Sequence, residues 1–129
     1  KSDHRRQGQV DGMHEVTVER KTLLREIVGT ETGLVNSAHH QAIGSMAAEL
    51  AVSAYAPDGS AEAAEWKDKS ANPFLICVQW HPERLAQLQP SNPFTQNIRQ
   101  AFLHAVLIGK QRTQQNISSQ PNKEDGTRA

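Results

Sequence analysis

The segment Phe74-Leu75-Ile76-Cys77-Val78-Gln79-Trp80-His81-Pro82-Glu83 sets the longest apolar run of the chain against a histidine, a proline and a carboxylate. Its β-rich composition, and the breaker pair Asn72-Pro73 in front of it, predict a buried strand. Alternation puts Phe74, Ile76, Val78 and Trp80 on one face and Leu75, Cys77, Gln79 and His81 on the other. His81 then emerges at the carboxyl end of the strand, where open α/β sheets place their chemistry. Pro82 restricts His81 to an extended backbone, and Glu83 returns toward the imidazole as a hydrogen-bond acceptor. A base oriented by a carboxylate is two-thirds of a nucleophile–histidine–acid relay.

Outward from that segment, the chain reads as alternating strands and helices. Met13 to Glu19 alternates as a strand with Val16 and Val18 inward. Lys21 to Val28 carries Leu23, Leu24, Ile27 and Val28 on one helical face, and Gly29 is its stop. Leu34 to Ser37 is a short strand leading into His39-His40-Gln41, and Ala42 to Leu50 holds a helical or 3₁₀ turn. Ala51 to Ala56 and Ala61 to Trp66 make a hairpin about Pro57-Asp58-Gly59. Alanine and glutamate are poor strand formers, which weakens its second arm. Arg84 to Pro90 reads as a loop. Asn92-Pro93 then caps a helix from about Phe94 to Ile108, stopped by Gly109. Residues 1–109 form the domain and 110–129 a disordered polar tail.

With 129 residues, the chain is sized for one domain with a modest core. Fourteen basic and fourteen acidic residues cancel, leaving no electrostatic footprint for nucleic acid or an anionic membrane. No apolar run approaches a membrane span and no signal-peptide pattern opens the chain. A single cysteine excludes an internal disulfide and suits a reducing, cytoplasmic compartment. An opening Lys1 in a polar stretch is expected of a processed or truncated product.

The six histidines supply no zinc spacing, so neither a metal nor a cofactor is expected. His39 and His40 are adjacent and point to opposite sides of an extended backbone. His4 and His14 read as loop or surface residues, and His104 as a helix residue. Cys77 lies within the expected buried strand, where cysteine behaves as an inert hydrophobe. No G-x-S-x-G elbow is present. The residues therefore offer a base and an orienter without a nucleophile, and a structural His–Glu pair is the bland alternative.

Three motifs in order, Val35-Asn36-Ser37-Ala38-His39-His40-Gln41-Ala42-Ile43, Ala56 to Ala63 (APDGSAEA), and Pro73 to Glu83 (PFLICVQWHPE), weigh against that alternative. Together they resemble the carboxyl-terminal half of the γ-glutamyl-γ-aminobutyrate hydrolase family, among class I glutamine amidotransferase-like proteins. The resemblance covers roughly Asp3 to Leu107. It implies a three-layer α/β/α, flavodoxin-like fold with a mostly parallel central sheet, of which this chain is the C-terminal portion. It also implies hydrolysis of γ-glutamyl amide bonds through a Cys–His–Glu triad and a thioester, with His81 as base and Glu83 as acid. His39, His40 and Gln41 match a signature that shapes the site or contacts substrate. The nucleophilic cysteine belongs to an amino-terminal half that this sequence lacks, and Cys77 does not match it; the chain alone is expected to be inactive. Ser60-Ala61 also departs from the larger apolar residue usual after the turn. The partners implied are a small γ-glutamyl substrate, the missing half of the domain and a homodimer of the full-length protein. Two other readings stay open: the glutaminase part of an ammonia-donating amidotransferase, and a non-catalytic binding module with a relic His–Glu pair.

Overall fold

A computed structural model describes residues 12–37 and 45–119. Its elements run β1 (Gly12–Val18), α1 (Leu23–Val28), β2 (Thr32–Ser37), β3 (Leu50–Tyr55), β4 (Ala61–Trp66), β5 (Cys77–Val78), α2 (Pro82–Leu88) and α3 (Pro93–Ser119). The strands form one sheet in the order β2-β1-β3-β4-β5. The fold is α/β: a curled sheet flanked by helices. Every pairing in the sheet is antiparallel, so the parallel strands that the resemblance implied for the whole family fold are not among the described residues.

Local chemistry explains most of these elements. Val16 and Val18 are buried as the alternation of β1 requires, together with Val35, Ala54 and Ala63 from three other strands. Leu24 and Val28 of α1, Leu85 of α2 and Phe94 of α3 close the same core. Thr22 caps α1 by accepting a hydrogen bond from the Arg25 N–H at 3.1 Å. Gly29 ends the helix in the left-handed region (φ 70°), its N–H donating to the Arg25 carbonyl. In the β3–β4 hairpin, the Gly59 N–H donates to the Ala56 carbonyl and Gly59 takes a φ of 83°. That is the turn expected from Pro57-Asp58-Gly59.

Strand β4 overrides its poor propensity. Small alanines let neighbouring elements approach, and its glutamates are held rather than solvated. Glu65, 2% exposed, accepts hydrogen bonds from the Leu23 N–H (2.7 Å) and the Leu24 N–H (3.2 Å) and pairs with Lys69 at 3.0 Å. It thus satisfies two of the donors that the start of α1 leaves open. Glu62, fully buried, lies 3.2 Å from Nε2 of His14. His14 is therefore an inward residue of β1 rather than a loop histidine.

Three further expectations need correction. The run Phe74–Trp80 is not a long buried strand: its paired residues are Cys77 and Val78, at the edge of the sheet against β4. An edge strand has one neighbour, so Cys77 is exposed and Phe74 packs sideways on Phe102, with ring centroids 6.4 Å apart. Arg84 to Pro90 is largely helix rather than loop. Pro82 presets the first turn of α2, Glu83 favours its N-terminus, and Leu85 anchors it in the core. Finally, α3 passes through Gly109 and continues to Ser119. A helix-interior glycine costs about 1 kcal/mol relative to alanine. The long polar side chains beyond it, among them Lys110, Gln111, Arg112 and Gln114, are good helix formers that offset this.

Candidate active site

His81 stands where β5 gives way to α2. Its φ of −109° and ψ of 90° make it the extended N-cap of α2, as the following proline requires. The imidazole Nδ1 lies 3.0 Å from Oε1 of Glu83. The contact foreseen by strand alternation is therefore made, but by a helix start: Glu83 is the second residue of α2 and folds back toward its cap. When Nδ1–H donates to the carboxylate, Nε2 is left as a proton acceptor. That is the tautomer a general base needs.

Stability does not account for this pair. The Glu83 side chain is 69% exposed and that of His81 34%. Ion pairs so solvated contribute roughly 0–1 kcal/mol. By contrast, the backbone around His81 is firmly tied. The Gln79 N–H donates to the Glu62 carbonyl at 2.8 Å. The Trp80 indole N–H donates to the Phe94 carbonyl at 3.1 Å, and the two rings meet edge to face. The Thr95 hydroxyl donates to the Pro82 carbonyl at 2.7 Å. The His81 N–H itself donates to Oδ1 of Asn36 at 3.2 Å.

Asn36 and Thr95 are not singled out by the sequence. Asn36 lies in the Val35–Ile43 motif, and its neighbour Ser37 is also buried at the end of β2. A polar pair closing a strand inside a recognised motif is the available signal. Thr95 is hidden in an ordinary helix first turn. His39, His40 and Gln41 lie outside the described residues.

Cys77 is exposed on β5, and the described residues contain no intact Cys–His–Glu triad. Among them no three histidine, cysteine or acidic side chains gather to hold a metal, and no helix is long and apolar enough to cross a membrane. An open groove of about 560 Å³ runs between β2 and the α2–α3 connection, lined by Leu34, Pro90, Asn92 and Phe94 among others. It includes neither His81 nor Glu83.

Comparison with known proteins places the chain in a family. The chain is 46% identical over 70 residues to protein NtpR of Enterococcus hirae, covering 54% of this chain and 28% of that protein. It is 42% identical over 74 residues to a glutamine amidotransferase-like protein of Rickettsia prowazekii, covering 56% and 25%. A third relative, also named glutamine amidotransferase-like, comes from Lactococcus lactis and is 39% identical over 70 residues, covering 54% and 27%. The chain thus spans between 25% and 28% of the length of these curated relatives. Residues 1–83 match the Peptidase C26 family, a match that ends on Glu83. On that match, over more than half its length, the chain belongs to the Peptidase C26 family of class I glutamine amidotransferase-like proteins.

Proposed function

We propose that this chain supplies the base and orienting acid of a γ-glutamyl amide hydrolase acting on substrates of the γ-glutamyl-γ-aminobutyrate type. The observation that carries this reading is the His81–Glu83 contact of 3.0 Å at a largely solvated position, on a backbone tied from β2, β4 and α3. In this reading His81 Nε2 takes the proton of a cysteine thiol belonging to the rest of the domain. The thiolate attacks the γ-carbonyl, the amine leaves with a proton from His81, and a thioester forms. His81 then activates water, which releases glutamate and restores the thiol. Glu83 holds the ring and stabilises the imidazolium. His39, His40 and Gln41 shape the substrate pocket. The protein works in the cytoplasm, as a homodimer when full length.

The surface supports a partner for this chain within its own domain. Phe74 and Phe102, whose rings are in contact, are both exposed, and Leu103 and Leu107 are exposed on the same helix as Phe102. The cysteine-bearing half of the domain would cover them, and the chain alone would be inactive. Hydrolysis of γ-glutamyl-γ-aminobutyrate by the full-length protein, set against the same protein with His81→Ala, tests the reading. Turnover lost in the variant supports it, and turnover retained refutes it.

A second reading is favoured by the names of the relatives: a glutaminase that passes ammonia to a synthetase. It predicts slow glutamine hydrolysis without a partner and faster hydrolysis with one. Turnover of γ-glutamyl-γ-aminobutyrate well above that of glutamine decides for the first reading.

A further inference from the structure

We propose that Asn36 is a positioning residue for His81, fixing the histidine backbone so that its imidazole meets both Glu83 and the nucleophile. The proposal rests on the hydrolase reading for its catalytic consequence and on geometry for the rest. Asn36 is fully buried on β2, and its Oδ1 accepts the His81 N–H at 3.2 Å from 45 residues away in sequence.

That N–H needs an acceptor. As N-cap of α2, His81 gives its carbonyl to the helix, which accepts from the Arg84 and Leu85 N–H groups. Its own N–H lies outside the helical pattern. A side-chain acceptor on a different strand converts this loose donor into a link between two parts of the fold. The residues on either side are tied to α3, Trp80 through the Phe94 carbonyl and Pro82 through Thr95. Asn36 alone, among the bonds shown, ties His81 itself to β2. Glu83 is no substitute, because a carboxylate 69% exposed sets the ring's rotation without fixing the position of its Cα. Asn36 is also three residues before His39, so it joins the Val35–Ile43 and Phe74–Glu83 motifs at one hydrogen bond.

The test uses the full-length protein with Asn36→Ala and Asn36→Asp, the second keeping an acceptor oxygen. In Asn36→Ala, exchange of the His81 amide proton should quicken about tenfold, as for the loss of one ordinary hydrogen bond. The Trp80 indole N–H signal should stay in place, reporting an intact turn. With a γ-glutamyl anilide, kcat should fall by about 100-fold, the cost of a small misplacement of a reacting group, with KM little changed. Asn36→Asp should recover slow exchange and most of the turnover. Unchanged His81 exchange in Asn36→Ala overturns the proposal whatever the turnover. If Asn36→Ala does not fold, Asn36→Asp decides: slow exchange with retained kcat supports the proposal, and loss of either overturns it. An unsubstituted protein without γ-glutamyl turnover counts against the hydrolase reading alone, because the exchange measurement still reads the positioning bond.

Discussion

Replacing Gly33 by alanine tests whether the packing behind the His81 turn is as tight as its interatomic distances imply. A Cβ built at Gly33 would lie 2.7 Å from Cδ2 and Cζ of Phe94 and closer still to Cε2. Carbon atoms rest at about 3.5–4.0 Å, so the ring must retreat by more than about 1 Å. It has little room, since Phe94 is 1% exposed and stacks edge to face on Trp80. Overpacking of this kind costs about 1–3 kcal/mol, and disturbing the aromatic pair adds roughly 1 kcal/mol. Alanine restricts the unfolded chain and returns about 0.4–1 kcal/mol at most, so the clash wins. The net expectation is a loss of about 2–3 kcal/mol. In urea, at a slope of about 2 kcal/mol per molar, the midpoint should fall by roughly 1 M. Phe94→Leu combined with Gly33→Ala should relieve the clash. The double variant should then lose less than the sum of the single ones by about 1–2 kcal/mol. A midpoint for Gly33→Ala within roughly 0.2 M of the unsubstituted protein, or strict additivity in the cycle, would refute the packing argument.

Glu65→Ala should cost about 3 kcal/mol in chemical denaturation, because two N–H groups of α1 lose a charged acceptor; Lys69→Ala, which removes only the more exposed partner, should cost under about 1 kcal/mol. The Asp68 carboxyl is held below its ordinary range, first by the Ser70 hydroxyl and then by the Ala71 N–H. A lowered carboxylate favours the fold above its ordinary pKa, and that contribution fades as pH falls below about 4. Ser70→Ala should move the Asp68 titration upward in an NMR pH series, and an unmoved titration would contradict the assignment. In the full-length protein Cys77→Ala should leave γ-glutamyl turnover intact. A large loss of turnover would make Cys77 the nucleophile. The chain by itself should aggregate through Phe74, Phe102, Leu103 and Leu107 and become soluble when co-expressed with the cysteine-bearing half. Sharp, monomeric unfolding of the isolated chain would contradict that.

What the sequence reveals of this fold follows local chemistry. The cap at Asn92, the stop at Gly29 and the Pro57-Asp58-Gly59 turn are decided by neighbouring residues, and local sequence is enough to find them, whereas the Thr22 cap falls inside the helix expected from Lys21. Long-range partners decide the rest. Glu65 sits comfortably in a strand because α1 presents two N–H groups to it, and nothing within Ala61–Trp66 announces that. The apolar run Phe74–Trp80 shows hydrophobicity without showing whether one neighbour or two covers it, so an edge strand and a buried one read alike. Pro82 fits the end of a strand and equally the start of a helix. The same distinction holds at the candidate site. His81 and Glu83 are two residues apart and legible as a pair. Asn36, 45 positions from His81, and Thr95, 13 from Pro82, become visible only through their hydrogen bonds.

Single-turnover release of amine from a γ-glutamyl anilide by the full-length protein, followed for the unsubstituted chain, His81→Ala and Glu83→Gln, bears on all of this at once. If His81 is the base and Glu83 its orienter, His81→Ala abolishes the burst, and Glu83→Gln slows it by about 10²–10⁴-fold with KM little changed. A burst of unaltered rate and amplitude in His81→Ala would contradict the catalytic assignment and leave the 3.0 Å contact as an ordinary surface pair.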